Sequence, residues 1–350
     1  MSSSTGSTEY YPYHPDRALP AVFAAIVGAS LGLHTWQNFR YRYWRVTFFM
    51  IWGGAIFMSG WMGRSFSVKR TTNLGLYIAQ YMLVYMGPPV YAAAEYKILG
   101  RLMHYLPMHA TLHPGRVVYF FVYLGAVVEV LTALGAADLS AAKGDRALLK
   151  KGASELAAGV VLQGAVELLF VALVGHVHHR CARAGMLTRN VRIVCMTLYG
   201  TSWLVMLRCV FRAVEKFNIL HMVSTGSCGG TCEDILNTEW YLYAFDAAPM
   251  VLFTLWLNLM HPGRFLPHDS KRYLDYDKVE RMGPGWTDNR PKIMSIVDPL
   301  NFEAMIKGQP SHQKFWLEGE TWPIADGGSF ARGTATNVIG KACPECGGKS

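Results

Sequence analysis

The chain has 350 residues, of which 51% are hydrophobic and only 16% charged, and its formal net charge is +9. The charges cluster between long apolar runs, which excludes an ordinary soluble domain and fits helices able to cross ~30 Å of hydrocarbon. No phosphate-binding glycine loop and no nucleic-acid module is present, so neither a nucleotide cofactor nor a nucleic-acid partner is expected.

The first 17 residues, MSSSTGSTEYYPYHPDR, are polar and lack a basic n-region, so they read as an exoplasmic tail before a first span that serves as the insertion signal. Apolar runs at 18–34, 44–62, 73–96, 117–136, 154–176, 193–216 and 238–261 predict an all-α, polytopic membrane domain of seven transmembrane helices over 18–262. The first run ends at His34, and Arg40, Arg42 and Arg45 follow it. The second carries Gly53, Gly54, Gly60 and Gly63, small residues that admit a neighbouring backbone. The third contains Gly87-Pro88-Pro89, where two lost helix hydrogen bonds predict a kink, and its Glu95 and Arg101 read as a solvated helix end. The fourth holds a single acid, Glu129, near its middle. In the fifth, Gln163 and Glu167 lie four residues apart on one face, which should look into the bundle. His176, His178 and His179 precede Arg180 and Arg183, and read as an interfacial basic cluster; no metal is expected.

The last two spans place charges deep in apolar sequence. Arg208, Arg212 and Glu215 fall at i, i+4 and i+7 in the sixth, and Glu239, Tyr243 and Asp246 repeat that spacing in the seventh. In an antiparallel hairpin Arg208 lies about nine residues before the turn and Asp246 about eight after it, so at ~1.5 Å per residue the two come level and can pair. By the same count Arg212 reaches Tyr243 and Glu239. A charge near the bilayer centre costs at least ~2.5 to 3.5 kcal/mol on insertion scales, so these residues should face partners or a wet cavity. Arg208, Arg212, Glu215 and Glu239 read as an intramembrane ion-pair clasp, and Asp246 as the first candidate for chemistry beyond clasping.

Loop charges favour an N-terminus outside and a C-terminus in the cytosol, because Arg40, Arg42, Arg45, Lys97, Arg101, Arg116, Arg180, Arg183, Arg189 and Arg192 fall on one side with the basic tail. Cys228 and Cys232, in SCGGTCED between the last two spans, then lie on the exoplasmic side where a disulfide persists. Beyond His261 the composition turns to Pro, Gly and charge, so 263–350 reads as a largely irregular cytosolic tail. Its lone Cys343-x-x-Cys346 is a weak zinc signal.

In order and spacing, GGAIFMSGWMGR, GPPVYAAAEYKILGR, GVVLQGAVELLF, LRCVFRAVEKF, TEWYLYAFDAAPM and HPGR resemble the fungal RTA-like lipid-translocating exporters, over about residues 18–266. The resemblance implies a seven-helix protein of the plasma membrane or an endomembrane, with relatives tied to sphingoid long-chain-base export, toxicant resistance or porphyrin uptake. Matching positions are Arg64, Pro88, Arg101, Gln163, Arg208, Arg212, Glu215, Glu239, Tyr243, Asp246 and His261. Phe57, Ala126 and Ala133 stand where relatives carry an acid, an aspartate and a glutamine, and Glu129 restores one acid a turn away.

The resulting expectation is a non-enzymatic exporter or flippase-like transporter of an amphipathic lipid or small molecule such as a sphingoid base. Asp246, Glu167, Gln163, Glu129 and Tyr243 would line its substrate site. Two other readings stand beside it. A seven-helix receptor would signal through its basic tail without moving lipid. A ceramidase-type hydrolase would need His176, His179, His261 and Asp246 to converge on a metal, although the histidines sit at span ends.

Overall fold

The computed structural model describes residues 11, 13–110, 113–142, 144–286, 294, 298, 314–317 and 322–325. Long helices dominate: α1 Leu19–Tyr41, α2 Trp44–Ser67, α3 Leu74–Tyr105, α4 Pro114–Ala141, α5 Arg146–Arg183 and α6 Arg189–Thr225. A short α7, Thr231–Asn237, leads to α8, Trp240–Leu242, then a π-helical turn at Tyr243–Ala247 and α9, Ala248–Leu259. Six of these stretches are long and apolar enough to cross a membrane; α3, more polar, does not meet that measure. At ~1.5 Å per residue α5 and α6 are ~55 Å long and project beyond a ~30 Å hydrocarbon layer.

Local chemistry sets the helix ends. Asn73, Asp145 and Thr188 each accept a hydrogen bond from a backbone N–H in the first turn of α3, α5 and α6, as N-caps do. Gly226, left-handed at φ 76°, stops α6. The kink expected at Pro88-Pro89 is not where the backbone departs from helix: α3 runs on without interruption, and the non-helical residue is Thr47 in α2, at φ −104° and ψ 17°.

Packing runs α1 on α2, α2 on α3, α3 on α4, α4 on α5 and α5 on α6, and α9 closes the bundle against α6 and α1. The tightest crossings use glycine. A Cβ on Gly60 would lie 2.6 Å from the Val84 nitrogen, and one on Gly135 of α4 would lie 2.7 Å from the Gly152 carbonyl oxygen of α5. Such backbone-to-backbone approach lets helices pack where lipid supplies no hydrophobic drive between them. Large apolar side chains point outward instead: Trp36, Phe39, Leu168, Trp203 and Leu259 are all more than 60% exposed.

Part of the C-terminal segment is built onto the bundle rather than irregular. β1, Arg272–Leu274, pairs antiparallel with β2, Glu280–Met282, and Tyr273, Leu274, Phe315 and Trp316 are buried. Arg101 is accordingly not a solvated helix end. It is buried and donates to the backbone carbonyls of Pro267 and Asp269, while the Tyr105 hydroxyl bonds Glu280 at 2.8 Å. Apolar clusters of this kind are invisible to a periodicity reading because they join short, widely separated pieces of chain. Cys343 and Cys346 lie outside the described residues.

Candidate functional site

The π turn is the local feature that places the charges. A π turn adds one residue to a helical turn and re-aims the side chains it carries. Here it carries Asp246, whose carboxylate is fully buried between two arginines of α6. Arg212 binds it through two nitrogens, Nε to Oδ1 at 2.8 Å and Nη2 to Oδ2 at 2.6 Å. The Nε of Arg208 stands 2.8 Å from Oδ1 as an ion pair, yet none of its guanidinium nitrogens makes a directed hydrogen bond among the described residues.

The cluster extends along α6. Arg212 Nη1 meets Glu215 at 2.7 Å, and Lys216 Nζ donates to the other Glu215 oxygen at 3.2 Å and to the Tyr81 hydroxyl at 2.8 Å. The ring of Tyr85 lies 5.4, 5.0 and 5.5 Å from the charged groups of Arg208, Arg212 and Lys216, a cation–π arrangement. Glu129 of α4 is half-buried and within electrostatic reach of Arg208, so three carboxylates face three cations.

Glu239 departs from the expected pairing. It binds Arg64 of α2 at 2.6 Å, accepts from the Tyr243 hydroxyl at 3.0 Å and from the backbone N–H of Asp16 at 2.7 Å, and does not meet Arg212. The cause is the length of the turn. α6 continues to Thr225 rather than ending near 216, and α7 carries the chain back before α8 begins. Glu239 therefore sits above Asp246 and against α2. Tyr243, buried, stacks on Phe23 and Trp61 with ring centroids 5.3 and 5.6 Å apart.

The N-terminal segment straps this second ion pair. The Tyr13 hydroxyl accepts from Arg64 at 3.0 Å, and Tyr11 donates to Ser67 at 2.8 Å. Burial pushes both phenols above their ordinary value, with Arg64 opposing. Between the two ion-pair groups opens a cavity of about 390 Å³, lined by Arg64, Arg212, Glu215 and Glu239 on its charged side, by Tyr13, Tyr77 and Tyr81, and by Phe211, Ile219 and Leu242. A disulfide joins Cys228, in the loop after α6, to Cys232 in the first turn of α7.

Of the expected substrate-lining residues, Asp246 and Tyr243 are taken up by partners, and Gln163 is half-buried on α5 away from the cavity. Glu167 is buried, in electrostatic reach of Glu95. Glu95, like Arg101, is misplaced by the sequence reading: it is 0% exposed inside the bundle, within reach of Glu167 of α5 and Thr201 of α6. The hydrolase constellation does not assemble. His176 and His179 are exposed on α5, and His261 lies against His34 and Tyr41 near the end of α9, apart from Asp246.

A polar clamp at this same C-terminal end of α9 has no counterpart in the sequence reading. Asn258 bonds His34 Nδ1 at 2.8 Å through Oδ1, donates from Nδ2 to the Ser30 hydroxyl at 2.8 Å, and gives its carbonyl to Gln37 at 2.8 Å. His34, Gln37 and the nearby Asn38 lie on one face of α1 at i, i+3 and i+4, and that spacing was the available signal.

A family model described as "RTA1 like protein" matches residues 50–269. The chain is 32% identical over 314 residues to a "Lipid-translocating exporter-like protein RTA1" of Leptosphaeria maculans, covering 86% of this chain and 60% of that protein. It is 31% identical to a protein of the same name in Ajellomyces capsulatus, over 72% of this chain and 81% of the other, and 24% identical to the "Probable lipid transporter atnI" of Emericella nidulans, over 79% and 73%. The chain thus spans less than two thirds of the Leptosphaeria protein. No solved structure matches. The membrane-long helices, the buried charges of α6 and the π turn, and the match across 50–269 together establish that this chain is a multi-pass membrane protein belonging to the RTA1-like family.

Proposed function

We propose that the chain moves amphipathic lipids, sphingoid long-chain bases among them, across a plasma or internal membrane, without catalysing a covalent reaction. In this reading α3 is a seventh crossing, polar because it is walled in by its neighbours, and the N-terminus and the disulfide loop lie outside. The observation that carries the reading is the cavity beside α7, which has ionic groups and tyrosines on one side and apolar side chains on the other. An amphipathic cation needs both.

The carboxylates for its ammonium are Glu215 and Glu239, which line the cavity. Both are paired with cations but keep 17% and 10% of their side-chain surface exposed, whereas Asp246, at 0%, is closed off behind two guanidinium groups. The names of the relatives support a lipid as cargo. Movement of a labelled sphingoid base across proteoliposome membranes tests the proposal. The intact chain should move it, and Glu215→Gln with Glu239→Gln should slow it at least tenfold while the protein stays folded. A folded intact chain that moves no lipid sinks the transporter reading and leaves a receptor role.

A further inference from the structure

The clasp uses its charges in pairs, but a second group of acids lies deeper in the bundle with no countercharge among the described residues. Glu95 of α3 is fully buried, and neither carboxylate oxygen has a hydrogen-bond partner among the described residues. Glu167 of α5 is 1% exposed, its Oε1 is likewise unpartnered, and the two acids are in direct electrostatic reach. α6 contributes two hydroxyls, Thr201 facing Glu95 and Ser202 facing Glu167. Thr201 is already used, donating to the Thr197 carbonyl at 3.0 Å, whereas the buried Ser202 hydroxyl has no partner and is aimed at the acids.

We propose that Glu95 and Glu167 form a proton-binding site at the centre of the bundle, in which one proton is held between two carboxyl groups. Two ionised carboxylates side by side in an apolar interior repel one another and lose their hydration, and a single proton relieves both costs while supplying the missing hydrogen bond.

The surrounding groups leave the proton as the ligand. Among the described residues, the groups in reach of the two acids are Tyr96 on α3 and Thr201, Ser202 and Cys209 on α6. Arg208 of α6 is directed to Asp246 and to Glu129 of α4. Hard metal cations take about six or more oxygen ligands, and the free donors here are two carboxyl groups and one hydroxyl. Glu95 lies ~15 Å along α3 from its end at Tyr105 and ~32 Å from its start at Leu74, well inside the helix.

Between this site and the cavity, Cys209 is within electrostatic reach of Glu167 on one side and of Arg208 and Asp246 on the other, and Arg212 links Asp246 to Glu215 on the cavity wall. The proton site stands independently of what the cavity carries.

Infrared spectroscopy of the full chain in lipid nanodiscs tests it, because a protonated carboxyl gives a C=O band distinct from ionised carboxylate. At neutral pH the wild-type protein should show this band, shifted in D₂O. Glu95→Gln with Glu167→Gln should abolish it, Glu95→Asp should shift it, and Glu129→Gln should leave it in place. A folded wild-type protein without the band overturns the proposal, and that result needs no variant to fold. So does a band that survives the double substitution, or one that sodium removes, which would make the site a metal-cation site.

Discussion

Two buried charge groups sit along α6, and they are handled in opposite ways. Around Asp246 every carboxylate has a cation and the aromatic ring of Tyr85 covers the cations. Around Glu95 and Glu167 there are acids and a hydroxyl, and no cation among the described residues. A buried ion pair is costly to break and contributes little as a pair, so its value is in fixing one arrangement of helices. An unpaired buried acid fixes nothing by charge, and its presence within a membrane-spanning bundle points to an exchangeable ligand. The difference separates framework from working group more sharply than depth or burial does.

The largest expected effect comes from breaking the framework. Asp246→Ala leaves Arg208 buried without its ion-pair partner and Arg212 with Glu215 alone, a change of a kind that typically costs ~3 to 5 kcal/mol; the yield of monodisperse protein in detergent and its thermal midpoint should both collapse. Wild-type behaviour in this variant would show that the clasp is dispensable. Next is Gly60→Val, whose Cβ would press on the Val84 backbone at 2.6 Å and part α2 from α3. Overpacking of this kind costs ~1 to 3 kcal/mol, and the thermal midpoint should fall without loss of the cluster on α6. A midpoint unchanged from wild type would mean that the α2–α3 crossing is looser than its geometry.

How far these groups were readable from sequence depends on whether their partners are near in the chain. Arg208 and Asp246 come from adjacent spans, and counting residues from a single turn was enough to bring them level. The same count failed for Arg212 and Glu239 because α6 overruns into Thr225, α7 intervenes and the π turn shifts the helical register by one residue. None of these has a signature in apolar periodicity. Arg64, from α2, was matched by family resemblance but not to Glu239, since a contact spanning 175 residues has no local pattern. Glu95 was placed at a solvent boundary because its flanking sequence, EYKILGR, is charged. The burial of Arg101 under the Pro267–Asp269 backbone moves that boundary, and only the fold shows it.

A smaller effect sharpens the comparison from the other side. Glu95→Gln keeps the shape and the hydrogen-bonding atoms of a protonated acid, so it should change stability by less than ~1 kcal/mol, against the several lost at Asp246. Thermal midpoints of the two variants in the same lipid decide this. A Glu95→Gln protein as damaged as Asp246→Ala would show that Glu95 is held as an ion by a partner, and the contrast between the two groups would fail.

The smallest effect lies at the edge of the framework, where the N-terminal strap meets Glu239. The Asp16 carboxylate accepts from the backbone N–H groups of Leu19 and Ala18, both at 2.7 Å, and these bonds hold it below the ordinary aspartate value. Because the folded value is depressed, the contribution of Asp16 is complete above the pH at which an unfolded aspartate titrates. It is lost only as pH falls through the lower folded value. A selectively labelled Asp16 carboxyl carbon should therefore titrate at lower pH than an aspartate of ordinary environment, with the Tyr13 contact to Arg64 persisting until that point. Titration at the ordinary value would mean that the strap is not seated at the start of α1, and that the ion pair of Arg64 with Glu239 is open on that side.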